Sequence, residues 1–439
     1  MLLIVNDMHG FFLLRNYINK LKADKTIVNG LLFSIFAFVG RGISFVLLII
    51  LASFIPPSDY GKLSLLNTVV MLLGFFMAFS TTGYFEISFF KEEKKIFHQD
   101  FSFIIVMLLI SAVFISFVFL LFGDFLSTIA GVTYDLLWWA LLIAFTNVPF
   151  SIFTNYYRLQ EKVKMYGVLN LGNAILNAVF SLILVITFAQ GWVGRVNTHI
   201  GVNVLFFLIA VLFFLKNDFF DFNIKKERMK LILLWGLPQI PHLATNWIRQ
   251  GCDQYIINYN YTTQEVGLFS FALNLVGIIT LIGIAFNSSN SVTIFQILSD
   301  STIKNKRSVL SKNTRNIFLV YLGATILILI MSCLFVPLLL PKYAPCIPYF
   351  MILSVYGFMV CIYFLYCNYL FYYGNTKQLM YITFGTSVTH LSLSLLLTPL
   401  SLYYTTLLYV ISQSLCVLIV YLYSQRVLNN ELDKSYCHD

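Results

Sequence analysis

The sequence predicts an all-α polytopic membrane protein of about twelve transmembrane helices in two six-helix bundles, with both termini cytoplasmic. Three observations carry that prediction. Hydrophobic residues make up 59% of the 439-residue chain and charged residues 11%, against about 25% charge in an ordinary soluble domain. Apolar runs recur at close to the roughly 20 residues a helix needs to cross the hydrocarbon. The positive charges fall almost wholly on alternate connections, which is how orientation is written into a membrane chain. This composition excludes a soluble enzyme, a disordered chain and a disulfide-framed secreted domain. It also argues against an outer-membrane barrel, whose short strands alternate polar and apolar residues.

In chain order, residues 1–26 read as a basic leader carrying Arg15, Lys20, Lys22 and Lys25. Asn6, Asp7 and His9 interrupt its apolar start, so no signal-peptide core is expected. Met8 is an alternative start to Met1. Twelve spans follow, at about 27–55, 61–90, 101–122, 134–157, 166–189, 193–215, 231–258, 265–297, 315–340, 347–373, 378–399 and 402–424. The longest outer connection, between spans three and four, is expected to be about a dozen residues. The first bundle is placed at 27–215, a cytoplasmic linker at 216–230, the second bundle at 231–424 and a cytoplasmic tail at 425–439.

With the N-terminus inside, 23 of the 28 Lys and Arg fall on inner segments. Only Lys62, Arg195 and Lys342 fall outside, and Arg41 and Arg249 fall within spans. The net charge of +9 therefore reports topology and not nucleic acid, which is not an expected partner. The seven cysteines show no paired spacing; neither a disulfide framework nor a metal site is expected. Cys346 is placed near an exposed outer loop.

The halves carry a faint repeat. Ser58-Asp59-Tyr60-Gly61-Lys62-Leu63-Ser64 opens span two, and Gln264-Glu265-Val266-Gly267-Leu268-Phe269-Ser270 opens span eight, 206 residues later. At that offset Arg41 meets Trp247, two residues from Arg249.

A charge inside the membrane is expensive, by about 2.5–3.5 kcal/mol on insertion scales, so each is a functional candidate. Arg41 lies about 21 Å from the outer end of span one, flanked by Gly40 and Gly42, which would permit close backbone approach. Arg249 precedes Asp253 by four residues, so an uninterrupted helix would put them on one face. One reading is an intrahelical salt bridge; the other is an anion site formed by Arg41 and Arg249, since guanidinium binds phosphate oxygens bidentately. Asp253 and Glu86 are candidates for ion coupling or gating, with a proton or sodium ion as the coupling species; otherwise Glu86 is an interfacial acid near Lys91. Pro238 and Pro241 are candidate hinge residues in span seven because each removes a backbone donor. Asn147, Asn155, Asn170, Asn173, Asn177, Asn203, Asn246 and Asn274 either join helices or face sugar hydroxyls, and helical phase does not separate the two. There is no GxxxxGK[ST] loop for an ATP motor, no nucleophile constellation and no large outer loop. No cofactor is expected.

The segment Gly236-Leu237-Pro238-Gln239-Ile240-Pro241-His242, with Asn246-Trp247-Ile248, Asp253-Gln254-Tyr255-Ile256-Ile257 and Glu265-Val266-Gly267-Leu268-Phe269-Ser270, resembles the middle of bacterial O-antigen and capsule repeat-unit flippases. Pro56-Pro57-Ser58-Asp59-Tyr60-Gly61-Lys62-Leu63-Ser64 resembles their first outer loop, and Gly191-Trp192-Val193-Gly194-Arg195 the start of their sixth span. That polysaccharide transporter family belongs to the multidrug, oligosaccharidyl-lipid and polysaccharide exporter superfamily. The resemblance implies two bundles around a V-shaped cavity in the bacterial inner membrane. It implies transfer of an undecaprenyl-diphosphate-linked oligosaccharide from the inner to the outer leaflet by alternating access. A glycan polymerase and a chain-length regulator, besides membrane lipid, would be its partners. The family usually has Arg after the aspartate of span seven; here Gln254 stands there, so that arginine's role does not carry over. Two alternatives stay open: a drug or cation antiporter of the same superfamily, which would favour intramembrane acids, and a glycan polymerase, which would need a substantial outer loop.

Overall fold

The computed structural model describes residues 25–300, 303 and 305–436. The basic leader up to residue 24 lies outside the described residues. Among those described, helices and short connections account for the whole chain.

The first half comprises α1 (Lys25–Ala52), α2 (Pro57–Phe76), a 3₁₀ stretch (Met77–Gly83), α3 (Tyr84–Lys91), α4 (Lys94–Ala130), α5 (Tyr134–Leu159), α6 (Val163–Leu182, ending in a π turn, Ile183–Thr187) and α7 (Gly191–Lys216). The second comprises α8 (Lys226–Gly236), α9 (Gln239–Gln250), α10 (Cys252–Asn260), α11 (Thr263–Ser299), α12 (Lys306–Leu339), a 3₁₀ turn (Pro341–Cys346), α13 (Ile347–Tyr372), α14 (Thr376–Leu397) and α15 (Leu402–Tyr436). Eleven spans among the described residues are long and apolar enough to cross a membrane. They match the expected spans one to six and eight to twelve. The seventh is divided among α8, α9 and α10, of 11, 12 and 9 residues.

Local chemistry sets the ends. Pro57 occupies the first turn of α2, where its missing N–H has no intrahelical partner to lose. The Thr262 hydroxyl accepts the Glu265 N–H at 3.3 Å to open α11, and the Asn305 side chain accepts the Ser308 N–H at 3.1 Å to open α12. Gly131, at φ +62°, ends α4 in a left-handed cap. The α4–α5 connection is thus Gly131, Val132 and Thr133, and not a dozen residues: the Phe- and Leu-rich run simply stays helical. Cys346 is another correction. It is fully buried in the 3₁₀ turn, because Tyr343 and Phe350 on either side of it are core residues.

Two spans are broken, and the breaks touch. In the second span Ala78, Phe79 and Ser80 all take positive φ, near 50°, a conformation that strains residues with a Cβ. Side chains satisfy the released backbone: the Ala78 N–H donates to Ser111 Oγ at 3.0 Å and the Thr81 hydroxyl to the Ala78 carbonyl at 2.6 Å. In the seventh span Gly236 lies against this loop; a Cβ there would meet the Phe79 carbonyl and Thr81. The helix then breaks at Leu237 and Pro238.

In the first bundle α1 packs on α6, α5 packs on α7 and α2, and α4 packs on α5. In the second, α13 is the central helix, surrounded by α11, α12 and α15, and α14 packs on α15. Span seven passes from one bundle to the other: α8 lies on the first bundle, while α9 packs on α14 and α2. Arg228 of α8 is fastened by Asp100 of α4 and by Glu92 at 2.8 Å. The segment before α8 is tied down as well, with the Asp221 N–H donating to Ser102 Oγ at 2.8 Å and Gln99 Nε2 to the Asp221 carboxylate at 3.0 Å.

The halves meet most closely where α2 and α11 begin. A Cβ on Gly61 would run into the Thr263 carbonyl oxygen, and one on Gly267 into the Pro57 carbonyl oxygen. The repeat offset seen in the sequence maps Pro57 onto Thr263 and Gly61 onto Gly267, and so exchanges these two contacts. The two helix starts are therefore related by an approximate twofold axis and pack through their glycines. The repeat motif is a contact surface between the halves.

Candidate functional site

A cavity of about 680 Å³ lies between the bundles, walled by α1, α6, α7 and α11. Its polar lining has a clear origin in helical spacing. Asn170, Asn173 and Asn177 fall at three- and four-residue steps on α6 and share one face. Arg195 and His199 are one turn apart on α7. Arg41 and Ser44 face in from α1, and Asn274 and Thr280 from α11. No carboxylate is among the lining residues.

Arg195 is the best-defined cation. Its Nη1 donates to Asn177 Oδ1 at 3.2 Å and to Ser181 Oγ at 3.0 Å. Both acceptors are neutral, and among the described residues its Nε and Nη2 have no protein acceptor. Arg41 has no carboxylate partner among the described residues either. Asn173 Nδ2 is buried without a hydrogen-bond partner, though it belongs to a cavity residue. Such a group costs free energy unless a ligand or water meets it. The cavity therefore presents donors and positive charge in excess, the arrangement that receives an anion bearing several oxygens.

One end of the cavity is closed. Asn274 donates to the Tyr60 hydroxyl at 2.6 Å. Tyr60 packs edge-on against Phe271 and Tyr343, with ring centroids 5.6 and 5.7 Å away, and all three rings are buried. Just beyond them lies the Gly61–Gly267 contact.

The sequence-predicted residues distribute as follows. Arg41 lines the cavity, but neither glycine beside it is needed for close packing: a Cβ on Gly40 would make ordinary contacts at 3.9 Å and one on Gly42 would meet nothing. Arg249 is not brought to Arg41. It points into the second bundle, where Nε, Nη1 and Nη2 donate to Ser387, Gln413 and Thr386, each at 2.7 Å. The Arg249–Asp253 salt bridge, one of the two readings of the sequence, is absent among the described ion pairs: both side chains turn toward α14, but Arg249 bonds to Thr386 and Ser387 there while Asp253 bonds farther along the same helix. Asp253, fully buried, instead meets His390 Nε2 at 2.8 Å and the Ser394 hydroxyl. Glu86 pairs with Arg158 at 2.6 Å, both half-exposed, and not with Lys91. Pro238 precedes the first residue of α9, at the break; Pro241 falls within α9.

Sequence reasoning missed Arg195 by counting it with the outer charges, although it stands in the first turn of the expected span six. The helix starts at Gly191, which puts Arg195 inside. The signal was present: an arginine with no nearby acid at the start of an apolar run. His390 leaves no signal in the sequence; only the fold, which packs α14 on α10, brings it to Asp253. Among the described residues no group of His, Cys, Asp or Glu is placed to hold a metal ion.

Comparison with known proteins agrees with this architecture. The family described as "Polysaccharide biosynthesis protein" matches residues 27–295. An "Uncharacterized membrane protein" of Haemophilus influenzae is 23% identical over 266 residues, covering 58% of this chain and 64% of that protein. Among solved structures, the inward-facing conformation of a multidrug resistance MATE family transporter of the MOP superfamily has a TM-score of 0.71 at 15% identity, over 90% of this chain and 95% of the other. A MOP superfamily transporter from Pyrococcus furiosus, described as having a binding pocket of reverse polarity that suggests a different function, has a TM-score of 0.60 at 14% identity, over 92% and 96%.

Proposed function

This chain belongs to the polysaccharide biosynthesis protein family and is a multi-pass membrane transporter, and from that premise we propose that it is a flippase for an oligosaccharide carried on undecaprenyl diphosphate, an O-antigen or capsule repeat unit. The observation that carries the proposal is the central cavity, lined by Arg41, Arg195 and the amides of α6 with no carboxylate. A drug-cation carrier needs the opposite lining. The diphosphate would bridge Arg41 and Arg195, the amides would receive sugar hydroxyls, and the prenyl tail would stay in lipid.

The transporter's task is a barrier problem. A charged, hydroxylated headgroup in hydrocarbon leaves its polar groups unsatisfied, and the cavity substitutes fixed donors for water. Outward movement of an anion runs down an inside-negative potential, by about 2.3 kcal/mol per charge per 100 mV. We place the protein in the bacterial inner membrane with both termini inside, on the charge asymmetry, which sharpens once Arg195 leaves the outer set. In that orientation the end closed by Tyr60, Gly61 and Gly267 is periplasmic, and the state described is closed to the outside. Opening requires the halves to part there, with span seven flexing at Pro238 where it crosses between bundles. Asp253, held by His390, is the candidate for ion coupling, and Glu86 with Arg158 the candidate inner gate. A glycan polymerase and a chain-length regulator are the partners this role calls for.

The test is reconstitution in vesicles with a fluorescent undecaprenyl-diphosphate oligosaccharide. Transfer between leaflets is expected for the wild type, strongly reduced by Arg195→Ala and partly restored by Arg195→Lys, which keeps charge but loses the fork. Undiminished transfer by a well-inserted Arg195→Ala variant would overturn the diphosphate assignment.

A further inference from the structure

A second cavity, of about 470 Å³, lies wholly in the second bundle, where α12 begins and α15 ends. Its α12 wall is a single helix face on which Arg307, Ser311, Thr314, Arg315 and Phe318 recur at short helical steps. Across from it α15 presents Gln425 and Asn429, one turn apart. The floor comes from α13, where the Tyr369 hydroxyl lies 3.4 Å from Thr314 Oγ1.

Chemistry changes along this cavity. Arg307 stands in the first turn of α12, and Arg315 about 12 Å deeper at 1.5 Å per residue. Beyond Arg315 the wall turns apolar with Phe318. The lining contains two guanidinium groups and no carboxylate. Glu431 follows two residues after Asn429 but does not line the cavity. Among the described residues Arg315, in the third turn of α12 and exposed, has no carboxylate partner.

We propose that this cavity binds a phosphate group presented by an anionic membrane phospholipid, with Arg315 on the phosphate, the hydroxyls of Ser311 and Thr314 beside it, and the aromatic end against the start of the acyl chains. Basic pockets between membrane helices hold lipid headgroups in this way. The gradient from cation to aromatic favours a lipid over a free phosphate ion, which would have no use for Phe318. The proposal is independent of the cargo in the central cavity.

The experiment titrates phosphatidylglycerol or phosphatidylcholine into the purified full chain and counts bound lipids by native mass spectrometry. One phosphatidylglycerol is expected to be retained in preference to phosphatidylcholine. Arg315→Gln is expected to lower that occupancy about tenfold, the loss of one charge-assisted bond. Ser311→Leu, which fills the cavity without changing charge, should lower it as well. Arg426→Gln, next to Gln425 but outside the lining, should leave it within about twofold. Equal losses for Arg315→Gln and Arg426→Gln would reduce the effect to surface charge and overturn the site. Displacement by millimolar inorganic phosphate would assign the cavity to a soluble anion and overturn the lipid.

Discussion

The two halves treat arginine on their spans in opposite ways. In the second bundle Arg249 is saturated: three of its nitrogens each reach a neutral side-chain oxygen at 2.7 Å. In the first bundle Arg195 spends one nitrogen on Asn177 and Ser181 and turns the rest, with Arg41, toward a cavity without carboxylates. Guanidinium has five donors in a rigid fork. A fork fully bonded within the protein fixes helices; a fork partly bonded holds its remaining donors in place for something else. On this difference we propose an architectural role for Arg249 and cargo binding for Arg41 and Arg195, although the sequence presents Arg41 and Arg249 as a matched pair.

The sharpest way to break this comparison is to remove each arginine in turn. Arg41→Ala and Arg195→Ala are each expected to lower transport at least about tenfold, the equivalent of a charge-assisted bond to phosphate, at normal abundance and unchanged melting temperature. Arg249→Ala should do the reverse. It strands three buried acceptors at about 1 kcal/mol each, so unfolding stability falls by about 3 kcal/mol and transport falls only with the amount of folded protein. Thermal denaturation alongside the vesicle assay separates the two. A stable but inactive Arg249→Ala variant would return that residue to the transport site.

The double variant Arg249→Ala with Asp253→Ala sharpens the comparison further. A salt bridge would make the second change rescue the first. Asp253 bonds instead to His390 and Ser394, so the second change is expected to lower stability further and not to restore it. Recovery of stability in the double variant would show that the pair is coupled after all.

How much of this was legible in the sequence follows from what kind of signal each feature leaves. Helices leave a long apolar run, and the positions of the spans are close to those expected. Breaks leave less. Pro238 announced the one in span seven, but the left-handed turn at Ala78, Phe79 and Ser80 contains neither Gly nor Pro and is held by Ser111 from another helix. The site was half legible. Arg41 stands out as a charge in the middle of an apolar run, whereas Arg195, in the first turn of its span, reads as an end charge until the fold shows what it faces. The α6 asparagines could be seen but not sorted, because phase says which residues share a face and not what that face meets. Arg249 misled for the same reason: it and Asp253 do turn toward one helix, α14, but each takes its partners from that helix and not from the other.

The repeat motif gives the next test, on the contact between halves. Gly267→Ala drives a methyl group into the Pro57 carbonyl oxygen. Overpacking of this kind costs about 1–3 kcal/mol, and only the state in which the halves touch bears the cost. The equilibrium should move toward opening at that end. A cysteine at Ser44 in a cysteine-free background should then react with a membrane-impermeant thiol reagent from the periplasmic side at least about fivefold faster, with Gly61→Ala behaving alike by the pseudo-twofold relation. An unchanged labelling rate in both variants would mean that this contact does not govern access.

The smallest effect is expected at Glu86, and its smallness is informative. Its bond to Arg158 is short, at 2.6 Å, but both side chains are about 40% exposed. An ion pair that water reaches is worth about 0–1 kcal/mol whatever its length in one structure. If the pair only decorates the inner end of the first bundle, Glu86→Gln changes transport by less than about twofold and the change disappears at high salt. If it is an inner gate, breaking it must favour one access state over the other, and Glu86→Gln and Arg158→Gln should shift the Ser44 labelling rate in the same direction. The labelling ratio therefore distinguishes a gate from a surface contact even where the transport rate moves too little to decide. A shift in that ratio comparable to the one from Gly267→Ala would raise Glu86 from an exposed ion pair to the counterpart, at the opposite end of the cavity, of the glycine contact.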